Sequence, residues 1–195
     1  NNNLVVNNQK IKISAAWEKF NACEKENHGY LDIYSPILQI LEKSKNNRIL
    51  EIGIWKGGSH RAWKELLPEA TIFGIDIDEN SLFQEKNILT FTADQLNLDN
   101  MKNTLDKISG ELDLVVDDGW HQPEAGLKSL SVCLPLLKVG GFHVIEDIKT
   151  RFYGSLWLKF LKLLPNNFDS LFIHGSKLKD KTGLGRSVII IRRLS

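Results

Sequence analysis

The sequence predicts an α/β fold: a doubly wound, seven-stranded and mostly parallel sheet with an antiparallel closing strand. Three observations carry that expectation. Short apolar runs bounded by glycine alternate with stretches of helical apolar spacing, a rhythm that implies right-handed crossovers between parallel strands. The first run leads into a glycine-rich turn, Gly53 to Gly58, ahead of a helix. Acidic residues stand at the ends of the later runs, the side on which such sheets bind ligands.

Residues 1–34 read as an N-terminal extension or lid segment and 35–195 as one domain, because a chain of this length builds a single core. The asparagine-rich beginning, Asn1 to Gln9, has no Met and no charged-then-apolar order; it reads as a trimmed end rather than a signal sequence and carries no functional weight. Ser35-Pro36 ahead of Ile37, Ile40 and Leu41 marks a capped helix with proline in its first turn. Arg48 to Ile52 is the first strand, and past the glycine turn Ser59 caps a helix carrying Trp63, Leu66 and Leu67. Thr71 to Ile75 is a second strand ending at Asp76, and Ile88 to Thr92 a third beside Asp94. Asp99 caps a helix with Met101, Leu105 and Ile108 at helical spacing. The fourth strand is 112–116; Pro123 then starts a helix through Leu137 that stops at Gly140-Gly141, before a fifth strand at 142–145. Tyr153 to Leu164 reads as a helix. Phe168 to Ile173 and Ser187 to Arg193 are two closing strands joined by a Lys/Gly-rich loop, antiparallel because no crossover helix separates them.

A formal net charge of +1 lacks the basic bias of a nucleic-acid binder, so Lys177, Lys179, Lys181, Arg186, Arg192 and Arg193 read as a solvated face. Cys23 and Cys133 form neither a thiolate metal motif nor a disulfide framework, which points to the cytoplasm. No apolar run approaches the ~20 residues that span a bilayer.

The chemistry-bearing residues gather at predicted strand ends. Glu51-Ile52-Gly53-Ile54-Trp55-Lys56-Gly57-Gly58-Ser59 lets the backbone turn sharply near a ligand, and its acidic first residue suits a cationic group. Asp76, 23 positions after Gly53, is placed to accept from both hydroxyls of a ribose, with Asp94-Gln95 at the next strand end. Leu112 to Val116 runs into Asp117-Asp118-Gly119-Trp120-His121, and Phe142 to Ile145 into Glu146-Asp147. Carboxylates converging from two strand ends suit a hard divalent cation, and His121 is placed as a proton acceptor. Trp55 and Trp120 fall in ligand loops where a flat ring can stack on adenine or sugar. Trp63 and Trp157 read as core, Trp17 as part of the lid, and His60, His143 and His174 as structural.

On Glu51-x-Gly53 and Asp76 the chain resembles the class I S-adenosylmethionine-dependent methyltransferases, a Rossmann-like fold. On Asp117 to His121, Gly140 to Asp147 and His28-Gly29-Tyr30 it more narrowly resembles the magnesium-dependent, mycinamicin-type macrolide-sugar O-methyltransferases, over about residues 28 to 193. The resemblance implies that Glu51, Gly53, Gly57 and Asp76 hold the methionine and ribose of S-adenosylmethionine, with Trp55, Gly58, Ser59 and Asp117 nearby. Asp94, Gln95 and Trp120 would surround the adenine. Asp118, Glu146 and Asp147 would ligate Mg²⁺, His121 would act as base beside Asp118, and His28 and Tyr30 would meet a sugar or other small-molecule acceptor. Trp120 stands where the sugar enzymes typically carry a small residue, which bears on the shape of the acceptor pocket. Two other readings are a cephalosporin-hydroxylase-like metalloenzyme and a non-catalytic S-adenosylmethionine-binding module. Neither nucleic acid nor membrane is expected as a partner, and the oligomeric state is open, a homo-oligomer included.

Overall fold

The computed structural model describes residues 2–178, 181 and 185–195. Asn1, Lys179 and the remainder of the Lys/Gly-rich loop, 180 and 182–184, lie outside the described residues. Among the described residues the sheet has eight strands: β1 (Arg48–Ile52), β2 (Thr71–Asp76), β3 (Gln84–Glu85), β4 (Ile88–Thr92), β5 (Leu112–Asp117), β6 (Leu137–Ile148), β7 (Phe168–Ile173) and β8 (Ser187–Arg193). Their spatial order is β3-β4-β2-β1-β5-β6-β8-β7. The five central strands pair in parallel, whereas β3, β8 and β7 pair antiparallel with their neighbours. The strand that raises the count from seven to eight is β3, two exposed residues at the sheet edge, too short and too polar to leave an apolar pattern.

Among the described residues seven α-helices cover the faces: α1 (Asn2–Lys19), α2 (Cys23–Asn27), α3 (Leu31–Leu41), α4 (Gly58–Leu66), α5 (Leu98–Ile108), α6 (Pro123–Cys133) and α7 (Thr150–Leu161). Strand side chains alternate between faces, so Ile49, Ile72 and Leu114 pack against α1, α3 and α4, while Leu50, Phe73 and Val115 pack on the α5 and α6 side. Both faces are covered, which is why the parallel strands read as nearly continuous apolar runs. Ile13, Trp17 and Tyr30, from residues 1–34, lie in the same apolar cluster as β1 and α4. No helix among the described residues is long and apolar enough to cross a membrane.

Several element ends differ from the sequence expectation. Helix α3 starts at Leu31, so Pro36 lies inside it, and the Ser35 hydroxyl bonds the Leu31 carbonyl instead of capping the start. The start of α4 is capped by Gly57 in a left-handed conformation, not by Ser59. Asn97, two positions before Asp99, caps α5 by accepting from the Asn100 N–H at 3.0 Å. Helix α6 ends at Cys133, and β6 already begins at Leu137 and runs through Gly140-Gly141. The register with β5 shifts there, and a Cβ on Gly141 would come within 2.9 Å of the Leu112 carbonyl oxygen, so the glycines accommodate an irregularity within the strand. Helix α7 spans 150–161 rather than 153–164.

After β4 the chain returns across the sheet to place β5 on the other side of β1. The strand order reverses between β1 and β5, the place where open α/β sheets leave a crevice beyond their carboxyl ends. The two loops nearly touch: Asp118 N–H donates to the Ile52 carbonyl at 2.9 Å, and a Cβ on Gly53 would lie 2.3 Å from the Asp118 carbonyl oxygen. Only glycine fits at 53, where φ is 95°.

Candidate active site

A cavity of about 610 Å³ opens at this switch point. Its walls include Glu51, Gly53, Trp55, Gly58, Ser59 and Asp76 from the β1 and β2 ends. Asp94 and Gln95 follow from the β4 end, with Asp118 and Trp120 from the β5 end. Asp76 tightens the glycine turn, its Oδ2 accepting from the Ile54 and Trp55 N–H groups at 2.7 and 3.2 Å and its Oδ1 from Asp78 N–H at 2.9 Å. Trp55 and Trp120 keep 63% and 57% of their surface exposed, so aromatic surface is available to stack on a ligand, although the Lys56 ammonium lies over the Trp55 ring at 4.7 Å.

Two residues expected beside a cofactor stand outside this wall. Gly57 is spent on the turn, its N–H donating to the Ile54 carbonyl at 2.8 Å. Asp117, still in strand register with Ile145, turns inward. It accepts from Gln95 Nε2 at 2.7 Å, from the Ser129 hydroxyl and from Gly119 N–H at 3.4 Å. Burial pushes its carboxyl up, and those three donors oppose the shift. Gln95 in turn accepts the Trp120 N–H at 3.2 Å, so this clamp sets the path of the loop carrying Asp118 to His121.

At the base of the cavity Lys25 and Glu51 are buried, with Glu146 buried behind them and Asp118 half-buried beside them. Lys25, on α2, places its ammonium 2.8 Å from Asp118 Oδ2, 2.7 Å from Glu146 Oε2 and 3.2 Å from Glu51 Oε1. Burial by itself would lower its pKa, but the surrounding carboxylates of Asp118, Glu146 and Glu51 raise it well above the usual lysine value. Ser59 donates to Glu51 Oε2 at 2.7 Å, and the Tyr34 hydroxyl donates to Glu146 Oε1. Burial pushes the Glu146 carboxyl up, with Lys25 opposing. Glu146, expected as a metal ligand, therefore has one oxygen on Tyr34 and the other on Lys25.

Beside this floor the ligand atoms of Asp118, His121 and Asp147 lie within 4.8 Å of one another. His121 Nε2 is 3.8 Å from Asp118 Oδ1 and 3.9 Å from Asp147 Oδ2, too far for hydrogen bonds. Its Nδ1 is buried with no hydrogen-bond partner. Burial lowers the imidazole pKa, against the attraction of Asp118 and Asp117, which keeps the ring in its neutral form near pH 7. Both His121 and Asp147 are left-handed, with φ of 54° and 58°. Such backbone costs on the order of 1–3 kcal/mol per residue and persists where the surroundings over-determine it. At Asp147 those surroundings are Arg186, which donates to Oδ2, and Tyr30, which donates to Oδ1 and accepts the Asp147 N–H at 3.1 Å.

Tyr30 was expected to face an acceptor; it is fully buried and serves this internal network. His28 packs its ring on Tyr30 at a centroid distance of 5.6 Å and does not line the cavity. Lys25, Tyr34 and Arg186 escaped the sequence reading. Lys25 sits in the charged stretch Glu24-Lys25-Glu26, which looks like a solvated turn, and Arg186 was grouped with a surface face. Their roles depend on partners 26 to 121 positions away, so no local pattern marks them.

The sheet order, the switch-point cavity and the acidic strand ends define the class I methyltransferase fold. A family described as a methyltransferase domain matches residues 50–148, just over half the chain, and the chain belongs to that family. Mycinamicin VI 2''-O-methyltransferase of Micromonospora griseorubida is 36% identical over 121 residues, 57% of this chain and 29% of that protein. Demethylmacrocin O-methyltransferase of Streptomyces fradiae is also 36% identical over 121 residues, 57% of this chain and 30% of that protein. The chain thus spans less than a third of the length of these relatives. The solved structure of the mycinamycin-pathway methyltransferase MycE, in complex with Mg, SAH and mycinamycin VI, superposes with a TM-score of 0.68 at 24% identity, covering 85% of this chain and 48% of that one.

Proposed function

We propose that the chain is an S-adenosylmethionine-dependent O-methyltransferase domain, assisted by a divalent cation such as Mg²⁺, that acts on a hydroxyl of a sugar or small natural product. The observation that carries this reading is adjacency: the cavity wall containing Glu51 and Asp118 leads directly to the Asp118, His121 and Asp147 group. The names of the curated relatives, sugar and macrolide O-methyltransferases, support the same reaction class.

The residues suit both partners. A cavity of about 610 Å³ lies in the range of cofactor sites, with carboxylates at its base for a cationic ligand and Asp76 at the β2 end. Asp118 Oδ1 offers a hard oxygen donor, Asp147 offers a carboxylate that an ion would share with Tyr30 and Arg186, and a small divalent ion that keeps several waters needs only one or two carboxylates. When bound, S-adenosylmethionine supplies the methyl group on sulfonium, and the cation supplies Lewis acidity.

The chain's own residues do the remainder. Glu51, held by Ser59, fixes the cofactor end of the cavity, while Trp55 and Trp120 close on flat ligand surfaces and exclude water. Asp118 and Asp147 hold the acceptor side, where orientation of the attacking oxygen supplies much of the rate. His121 Nε2 takes the hydroxyl proton, since burial keeps the ring neutral. A net charge of +1 supports a small-molecule acceptor over nucleic acid, and free Cys23 and Cys133 fit a reducing cytoplasm. Calorimetry with S-adenosylmethionine tests the core of the reading: saturable binding with a heat signal is expected, and no binding at millimolar ligand ends it.

A further inference from the structure

Besides the strand-end loops, one further segment borders the cavity: the corner between α1 and α2 contributes Asn21, Glu24 and Lys25 to its wall. This corner packs directly on the glycine turn. A Cβ on Gly58 would come within 2.4 Å of the Phe20 carbonyl oxygen and 3.5 Å of Ala22 Cβ. Backbone bonds fix the corner from both sides, Ala22 N–H donating to the Trp17 carbonyl at 2.8 Å and Tyr30 N–H to the Lys25 carbonyl at 3.0 Å. Lys25 reaches Glu51 and Asp118, so the segment meets the cavity where the β1 and β5 ends adjoin. Six carboxylates line the cavity among the described residues, and five of them are committed. Glu51 is 1% exposed and holds Lys25 and the Ser59 hydroxyl. Asp76 accepts three backbone N–H groups, Asp78 accepts from Asn80 N–H at 3.0 Å, and Asp94 accepts from Leu96 N–H at 2.8 Å. Asp118 gives Oδ2 to Lys25 and turns Oδ1 toward His121. The sixth, Glu24, is exposed, and its side chain makes no hydrogen bond or ion pair among the described residues.

We propose that Glu24 receives the α-ammonium at the amino-acid end of the cofactor, the cationic group otherwise expected at Glu51. The proposal rests on the S-adenosylmethionine reading above. A ligand ammonium could reach buried Glu51 only by displacing Lys25, a like charge already held 3.2 Å from its Oε1 and anchored by Asp118 and Glu146 as well. At Glu24 the same ammonium meets an open carboxylate and breaks no existing bond, and the new contact is a charge-assisted hydrogen bond. Asn21, exposed on the same corner, adds a carboxamide oxygen that an ammonium can donate to. Glu51 is on this account a positioning residue, which holds α2 against the β1 end through Lys25, and Glu24 is the residue that touches the cofactor.

The test is calorimetry on the full chain with a pair of ligands. S-adenosylhomocysteine keeps the amino-acid end without the sulfonium charge, and methylthioadenosine keeps the nucleoside and thioether without the amino-acid end. Glu24→Gln is expected to bind S-adenosylhomocysteine about ten-fold more weakly than the parent, and methylthioadenosine equally well. Glu24→Asp, which keeps the charge on a shorter arm, should recover part of that loss. Where methylthioadenosine is too weak for a direct titration, its displacement of S-adenosylhomocysteine gives the same comparison. Unchanged affinity of Glu24→Gln for S-adenosylhomocysteine overturns the proposal. So does an equal loss for both ligands, which is what a residue supporting the cavity as a whole would give. Because the Glu24 side chain bonds nothing else among the described residues, both variants should melt with the parent. A parent that binds neither ligand ends the S-adenosylmethionine reading itself, and a parent that binds both while Glu24→Gln matches it ends only the assignment of Glu24.

Discussion

The carboxylate pairs at the ends of β5 and β6 are arranged alike and satisfied differently. In each pair the first acid, Asp117 or Glu146, is nearly or fully buried and turned into the protein, while the second, Asp118 or Asp147, reaches the group around His121. Successive side chains on a strand point to opposite faces, so adjacent acids cannot share one site while the strand continues. Asp118 escapes by lying just past β5, and Asp147 by its left-handed turn within the irregular end of β6. The inner members differ in their partners. Neutral donors, Gln95, Ser129 and Gly119 N–H, hold Asp117, whereas a charged lysine and a tyrosine hold Glu146. Asp117 is thereby insulated from the cavity, and Glu146 is electrically joined to it through Lys25.

The comparison assigns chemistry to the outer acids and stability to the inner ones, and substitutions can break that division. The largest effect is expected at Asp118→Ala: product formation falls about a thousandfold, while S-adenosylmethionine affinity by calorimetry changes only a few-fold. An undiminished turnover rate would remove the outer acid from the mechanism. At the inner acid, Glu146→Ala leaves the Lys25 charge short of a partner, a loss of roughly 3–5 kcal/mol in urea unfolding. A stability loss at Asp118→Ala as large as that at Glu146→Ala would erase the distinction.

Strand β6 carries a further ionisable group, in its interior, that sharpens the contrast with its tip. His143 is fully buried without a hydrogen-bond partner, and burial lowers its pKa to about 3. The folded state thus binds its proton less readily than the unfolded chain, whose histidine titrates near ~6.5. Stability from this residue is complete above that pH and is lost as pH falls toward 3, by about 2 kcal/mol at pH 5. Urea melts at pH 7 and 5 should show the loss in the parent and a smaller one in His143→Phe; identical losses would contradict it. The smallest effect is expected at Ser129→Ala, which removes one of three donors to Asp117 and costs about 1–2 kcal/mol with cofactor affinity unchanged.

Much of this architecture was legible because it is written locally. The parallel strands are covered on both faces, so 48–52, 88–92 and 112–116 appear as apolar runs at nearly their observed bounds. The edge strand 84–85 left no such trace, and the caps at Gly57 and Asn97 were misplaced by two positions because several polar residues compete at each helix start. In the site, the positions at strand ends could be read from the chain, which is how Asp118, His121, Glu146 and Asp147 stand out together, although the structure turns Glu146 away from the other three. The direction of each side chain could not.

The sequence by itself determined the order of strands and helices, the glycine at 53 and the row of acids beyond the strand tips, since apolar periodicity and turn chemistry act between near neighbours. Only the tertiary structure decided which acid of each pair faces the cleft, and that Lys25 and Arg186 neutralise them, and Tyr30 and Tyr34 hydrogen-bond them, from distant segments. The physical reason is that a buried charge must find an opposite partner in space, and separation along the chain places no constraint on where that partner comes from.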